Sequence, residues 1–561
     1  MSRYSLGDLS FTLDGGALRY LRLGETEIIR QVAFLVRDRD WGTIPAEVGE
    51  VQETGGEGIG LLIPLTFRTD GATLSVTVAL SLTGSALTLR ATGTADAPFE
   101  TNRAGFTLLH PIEGVAGAPA TVTHPDGQTQ DKPFPTLIDP WRPFEDIVRL
   151  DYVANGLAIS CALSGDTFEM EDQRQWGDAS FKTYNRSLDL PWPYALPQGT
   201  YPPQEVTLGW SHAEAPAVPS PRPRVVAPTF PETALLVTPE EATVLAQDPS
   251  PLALVSPQRL LCHVDATHGA VADQFAAFAA LQHAVPDMIY DLELIGSFDG
   301  PPGPELHAHA NAMTGAGFTP ASVFTCPSVD RQSTPPGSDW PACPPLAEIH
   351  AAAAQAFPNV TRGGGMASLF TELNRKRPPT KGLDFITHGL CPIVHAADDH
   401  AVMETLQAVP HITASALAIA DGREYRIGPA TIAMRQNPYG SRTIPNPKGS
   451  TVCMTDDDPR HRGTFGAAYV LGLATALASA GIAVWTPTCV LGPRGITGLD
   501  GPYPLAEVLK VLSGLAGHPV EQADIRDGIA TLTVAGRRLR ANLEPVEQNG
   551  LAPYSVDVGE V

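Results

Sequence analysis

The densest run of reactive side chains follows three consecutive glycines. In TRGGGMASLFTELNRKRPP (361–379), Glu372, Asn374, Arg375 and Lys376 come within five positions of one another. A glycine run lets backbone pass close to another group, and a carboxyl just beyond it is a candidate general acid or base. Glu372 is the first choice for that role; the plainer reading pairs it with Arg375 at the surface. The next segment, LDFITHGLCPIVHAADDHAVMETL (383–406), sets His388 at the end of an apolar run, then His395, Asp398 and Asp399 before a helix. A histidine closing a strand transfers protons near neutrality. Asp398 or Asp399 also reads as an N-cap that accepts the helix's first free N–H groups.

A third segment, AMRQNPYGSRTIPNP (433–447), offers Arg435, Gln436, Asn437 and Tyr439 to bind hydroxyls or a carboxylate, in a loop stiffened by Pro438. In LLCHVD (260–265), His263 and Asp265 are two apart and share one side of a strand, and Glu293 projects from another strand end. With His388 they compose a possible metal set. There is no HExxH and no Cys/His cluster, so neither a metal nor another cofactor is expected. His307 and His309 fall at the start of a helix, where residues two apart do not face each other. No nucleophile elbow, P-loop or dinucleotide fingerprint occurs in a supporting context, which argues against serine-hydrolase, kinase and dehydrogenase chemistry.

One further segment, DTFEMEDQRQWGDASFKTYNRSLDLPWPY (166–194), alternates acidic groups (Glu169, Glu171, Asp172, Asp178), basic ones (Arg174, Lys182) and aromatic rings (Trp176, Phe181, Tyr184, Trp192). It reads as an interdomain latch with a reach toward the active site.

These side chains need a scaffold. Up to about residue 212, short runs such as Ser10 to Leu13, Leu74 to Leu82 and Leu87 to Ala91 alternate polar and apolar residues between Gly/Asp/Pro turns, the pattern of a β-sandwich (1–212). A proline-rich spacer (213–231) follows. From 232 to 502, strand-length apolar runs (LLCHVD, MIYDLELIG, SVFTC, LDFIT, ATIAM, IAVWT) interleave with Ala-rich helical stretches, including Asp273 to His283, Leu346 to Ala356 and Gly463 to Ala480. That alternation predicts a TIM-barrel-like (β/α)8 domain, whose chemistry belongs at the C-terminal ends of its strands. A helix and a small β-domain complete the chain (503–561). The fold class is thus multidomain α/β plus β.

With 43% hydrophobic and 17% charged residues, 561 residues are expected to fold into several globular domains. The net charge of −24 repels phosphate backbones and anionic lipid, so no nucleic-acid or membrane partner is expected. Seven scattered cysteines without a CxxC pair, and no secretory signal in MSRYSLGDLSFTLDGG, point to the reducing cytoplasm. Composition does not decide the oligomeric state.

Several strings, in order, resemble the D-apionate lactonase (D-apionolactonase) family: HPDG (124–127), FEMEDQRQWGDASFKTY (168–184), GGGM…FTELNR (363–375), HAADD (395–399) and IGPATIAMRQNPYG (427–440). The resemblance implies an N-terminal β-domain, a TIM-barrel-like middle domain and a small C-terminal domain. It implies opening of D-apionolactone to D-apionate in apiose breakdown, with a small sugar lactone as partner. Lactone hydrolysis needs a base for water, donors for the oxyanion and an acid for the departing ring oxygen. On the residues alone, Glu372 is the base and His388 the acid, with Asn374, Arg435 or Asn437 at the oxyanion. Glu293, Arg375, His395 and Asp398 complete the expected substrate contacts. Two other readings stay open: a glycosidase pairing Glu372 with Glu293, and a sugar-acid binding protein without catalysis.

Overall fold

The computed structural model describes residues 2–39, 41–56, 58–214, 228–440 and 442–560. Of the expected proline-rich spacer (213–231), residues 215–227 lie outside the described residues. The chain forms two compact units, Met1–Arg174 with Ala179–Ser220, and Gln175–Asp178 with Pro221–Val561.

The first unit is built from two large antiparallel sheets, plus one short strand pair. In Thr73–Leu82, alternate residues Leu74, Val76, Val78, Leu80 and Leu82 are buried, the period-2 burial its sequence predicts. Phe34 of one sheet meets Phe67 of the other at 6.0 Å between ring centroids, and Phe106 edge-on at 5.7 Å. This contact fills the space between the sheets with aromatic surface.

In the second unit, eight parallel strands close into a barrel: β1 (Glu232–Val237), β2 (Arg259–Asp265), β3 (Ile289–Gly296), β4 (Ser322–Pro327), β5 (Thr361–Leu369), β6 (Phe385–Leu390), β7 (Glu424–Ala430) and β8 (Val484–Cys489). β2, β3 and β4 pair in register, with His263 beside Glu293 and Glu293 beside Phe324. Near the strand starts the interior is closed by ions: Arg259 Nη1 reaches Asp291 at 3.3 Å, and Arg426 Nη1 donates to Ser322 Oγ at 2.9 Å. The Arg426 guanidinium also lies 3.9 Å from the centre of the Phe385 ring. That end is plugged, which leaves the strand C-termini as the open face.

Two strands differ from the sequence expectation. The glycine run, absent from the predicted strands, forms the middle of β5. A Cβ on Gly363 would lie 2.2 Å from the Phe385 ring, and Gly365, at φ +128°, would put one 2.0 Å from the Thr387 carbonyl oxygen. The glycines therefore serve the tight approach of β5 to β6. ATIAM (430–434) was expected as a strand, but β7 ends at Ala430 and the rest is loop. The strand-forming residues are EYRIGPA just upstream, less uniformly apolar because Arg426 enters the polar plug.

After the barrel come the helix Pro504–Ser513 and a four-stranded antiparallel sheet, Val520–Arg526, Ile529–Val534, Arg537–Asn542 and Val556–Glu560, against which the helix Thr464–Leu477 packs. Among the described residues, no helix is long and apolar enough to cross a membrane.

Candidate active site

Glu372 is carried by the short helix Phe370–Arg375 that follows β5 directly. Its Oε2 reaches back to accept the Leu369 N–H at 2.9 Å, as a glutamate at the third helical position does. Oε1 is buried and has no hydrogen-bond partner. Burial disfavours the carboxylate and lifts its pKa to about 7, although Arg375, the Leu369 N–H and Ser333 act in the opposite sense. Glu241, after β1, is also lifted to about 7 by burial, yet both its oxygens accept backbone N–H groups, from Thr238 and Leu491. That makes Glu241 a helix cap, whereas Glu372 keeps one oxygen for another proton donor.

Glu293 lies inside the barrel. Arg435 binds it through both guanidinium nitrogens, and His263 Nδ1 donates to its Oε1 at 2.6 Å. Burial alone would raise its pKa, but Arg435 and then His263 outweigh burial and hold it near 2. Arg435 further donates to the Ala367 carbonyl and lines a small cavity at the ends of β5, β6 and β7 with Ser368, Gly389, Cys391 and Gln436. Among nearby carboxylates, Asp265 is committed to Arg331, Thr267 and His268, while Asp330 Oδ1 accepts from Lys376 at 2.6 Å and its Oδ2 is buried without a hydrogen-bond partner. Among the described residues, no three His, Cys, Asp or Glu side chains are grouped to hold a metal ion.

His388 does not face this cavity. Phe385 and Thr387 line the barrel interior, so the alternation of β6 turns His388 outward. There it is fully buried, with Nε2 2.7 Å from the Tyr425 hydroxyl and Nδ1 2.9 Å from the Gly389 carbonyl oxygen. Burial lowers its pKa to about 4, so it stays neutral. Its sequence position at the strand end suggested the mouth; its parity assigns it to the layer between strand and helices.

Other expected contacts have partners within the protein. Asn374 accepts from Arg377, and Asn437 accepts the Tyr439 N–H and donates to the Arg442 carbonyl, holding its own turn. Asp398 caps the helix Asp399–Glu404 by accepting the Ala401 N–H at 3.0 Å. Arg375 donates to Ser333 Oγ at 2.9 Å and lies 5.4 Å from the centre of the Trp176 ring. Trp176 also meets His395 edge-on at 5.4 Å and Tyr439 at 5.3 Å. His395 Nδ1 lies 2.6 Å from Asp178 Oδ2, and Nε2 lies 3.1 Å from the Tyr439 hydroxyl.

The structure thus groups Glu293, Arg435 and His263, and separately groups Arg375 and His395 around Trp176. Sequence reading passed over Gln175: the Thr371 hydroxyl donates to its carbonyl oxygen at 2.9 Å, while its buried side-chain amide has neither polar atom hydrogen-bonded. Ser333, Asp330 and Arg331 were also missed; they lie in a 3-10 turn after β4 and the loop beyond it, which carry no motif.

Comparison with known proteins agrees with the fold. The model of the D-apionate lactonase N-terminal domain matches residues 1–213, and that of the D-apionate lactonase TIM barrel domain matches residues 233–517. A D-apionate lactonase from Brucella anthropi is 42% identical over 531 residues, covering 91% of this chain and 87% of that protein. Similarity to solved structures is lower. A putative aldose 1-epimerase from Escherichia coli K12 is 14% identical at a TM-score of 0.28, covering 38% of this chain and 98% of its own. A glycosylated endo-beta-1,4-xylanase from Gloeophyllum trabeum is 10% identical at 0.33, covering 51% and 96%. The two domain matches, in order, and the extended identity to the Brucella protein show that this chain belongs to the D-apionate lactonase family.

Proposed function

We propose that the chain is a hydrolase that opens a sugar lactone, D-apionolactone to D-apionate, with Glu372 as the base that activates water. The observation that carries this reading is the unpartnered, buried Oε1 of Glu372, on a carboxyl whose pKa is lifted to about 7. A base of that strength is half-ionised at neutral pH and takes a proton readily when water attacks. The buried Gln175 amide, with a free N–H donor, and Arg435, at the cavity wall, supply positive dipole and charge for the oxyanion. Attack forms the bond from water oxygen to carbonyl carbon; collapse breaks the ring C–O bond, and the ring oxygen leaves with its electron pair. The product is an acid, so each turnover releases a proton at neutral pH. The Brucella relative's name supports D-apionolactone as the substrate. Acidic charge and scattered cysteines support a cytoplasmic setting.

The test is proton release, followed with a pH indicator across a panel of aldonolactones. Acid production with D-apionolactone at the highest kcat/KM is the expected result. Ligand-dependent shifts in Tm without acid production would mark a binding protein instead.

A further inference from the structure

We propose that Tyr439 is the acid that protonates the departing ring oxygen, and that Asp178 and His395 position and recharge it. The proposal rests on the lactonase reading above, and supplies the acid that the outward-facing His388 does not.

The geometry is a three-member chain. Asp178 Oδ2 accepts from His395 Nδ1 at 2.6 Å, which fixes the ring's orientation and leaves Nε2 toward the Tyr439 hydroxyl at 3.1 Å. The state of Nε2 then sets the direction of the proton. A neutral Nε2 accepts the phenolic O–H; a protonated Nε2 donates to the phenol oxygen and releases the phenolic proton for another acceptor. Asp–His pairs facing a hydroxyl are a recurrent proton-transfer arrangement.

The Tyr439 ring reaches the protein surface. It is 50% exposed. Two ties join its loop to the helix of Glu372: the Ser333 N–H donates to the Pro438 carbonyl at 2.8 Å while Arg375 donates to Ser333 Oγ, and Trp176 lies between Arg375 and the Tyr439 ring. Base and acid thus stand on neighbouring segments at the strand ends. Asp178 and Tyr439 are among the titratable groups that face His395. Arg460, which donates to the Ala397 carbonyl and pairs with Asp399, brings a cation to the same loop.

The step balances. Glu372 takes one water proton as hydroxide adds to the carbonyl carbon. On collapse the ring oxygen takes the phenolic proton, and Tyr439 takes the Nε2 proton of His395. Solvent then restores His395 and removes the proton from Glu372; ionisation of the product leaves one proton released overall. An alkoxide is more basic than a phenolate, so the transfer is downhill.

Four variants and two readouts, the kcat-against-KM split and the pH profile, test this. Tyr439→Phe is expected to lower kcat for the lactone about 100-fold with KM within about three-fold, and to abolish the descending limb of the pH profile. Asp178→Asn is expected to lower kcat about 10-fold or more with KM within about three-fold, and Asp178→Glu to restore most of it. A Tyr439→Phe enzyme within three-fold of the parent kcat, or an Asp178→Asn enzyme at the parent kcat, overturns the relay. If Glu372→Gln alone keeps the parent rate, the base assignment fails while the relay is still judged by its own variants.

Discussion

Glu372 and Leu369 are joined by one hydrogen bond, N–H to Oε2 at 2.9 Å, and the other oxygen of the buried carboxyl, Oε1, has no hydrogen-bond partner. The folded protein therefore holds a proton on Glu372 over a range where the unfolded chain releases it. The pKa is about 7 folded against an ordinary 4.5, so between those values the folded state binds more protons and stability falls as pH rises. The loss is complete above about pH 7 and amounts at most to about 3 kcal/mol. Glu372→Gln should remove it: urea denaturation at pH 8 should show the variant more stable than the parent, with the gap narrowing toward pH 5.

Glu293 and Arg435 predict the opposite sign. Glu293 is held near 2, so its stabilising contribution is present above its ordinary 4.5 and is lost as pH falls toward 2. Glu293→Gln leaves Arg435 as a buried cation without its counter-charge, and should cost about 3–5 kcal/mol. Glu293→Gln combined with Arg435→Met should recover part of that loss. Thermal melts of the single and double variants check it.

His388 should matter to stability and little to rate. His388→Ala removes the partner of the buried Tyr425 hydroxyl and opens a cavity beside Phe370, at a cost of about 2–4 kcal/mol. At a temperature where the variant is folded, kcat/KM should stay within about three-fold of the parent. In the parent, the depressed pKa of about 4 means that His388's contribution is full above its ordinary 6.5 and is lost as pH falls toward 4.

Gly365→Ala should destabilise strongly. Its φ of +128° is closed to residues with a Cβ, and the added carbon would lie 2.0 Å from the Thr387 carbonyl oxygen. A loss of more than about 2 kcal/mol is expected by chemical denaturation.

The barrel was legible because most of its strands are apolar runs punctuated by helices, and Leu346–Ala356 occurs at the bounds its alanine run suggested. β5 and β7 were harder. Glycines in one, and an arginine bound into the polar plug in the other, keep these strands from reading as apolar runs. Within the site, types and neighbourhoods could be read but parity could not. His388 closes a strand as expected, yet its direction depends on which alternate residues of β6 face inward. Asp398 and Asn437 were read for both binding and local structure, and their hydrogen bonds serve local structure. Partners distant in sequence, such as Asp178 with His395, are set by tertiary packing, which no local pattern encodes.

The most direct measurement is proton release from D-apionolactone by purified Glu372→Gln beside the parent, at pH 7 to 8 and under saturating substrate. A loss of kcat of about 100-fold or more, with the fold intact by circular dichroism, is the predicted result. A variant that opens the lactone as fast as the parent would contradict the account and remove Glu372 from the chemistry.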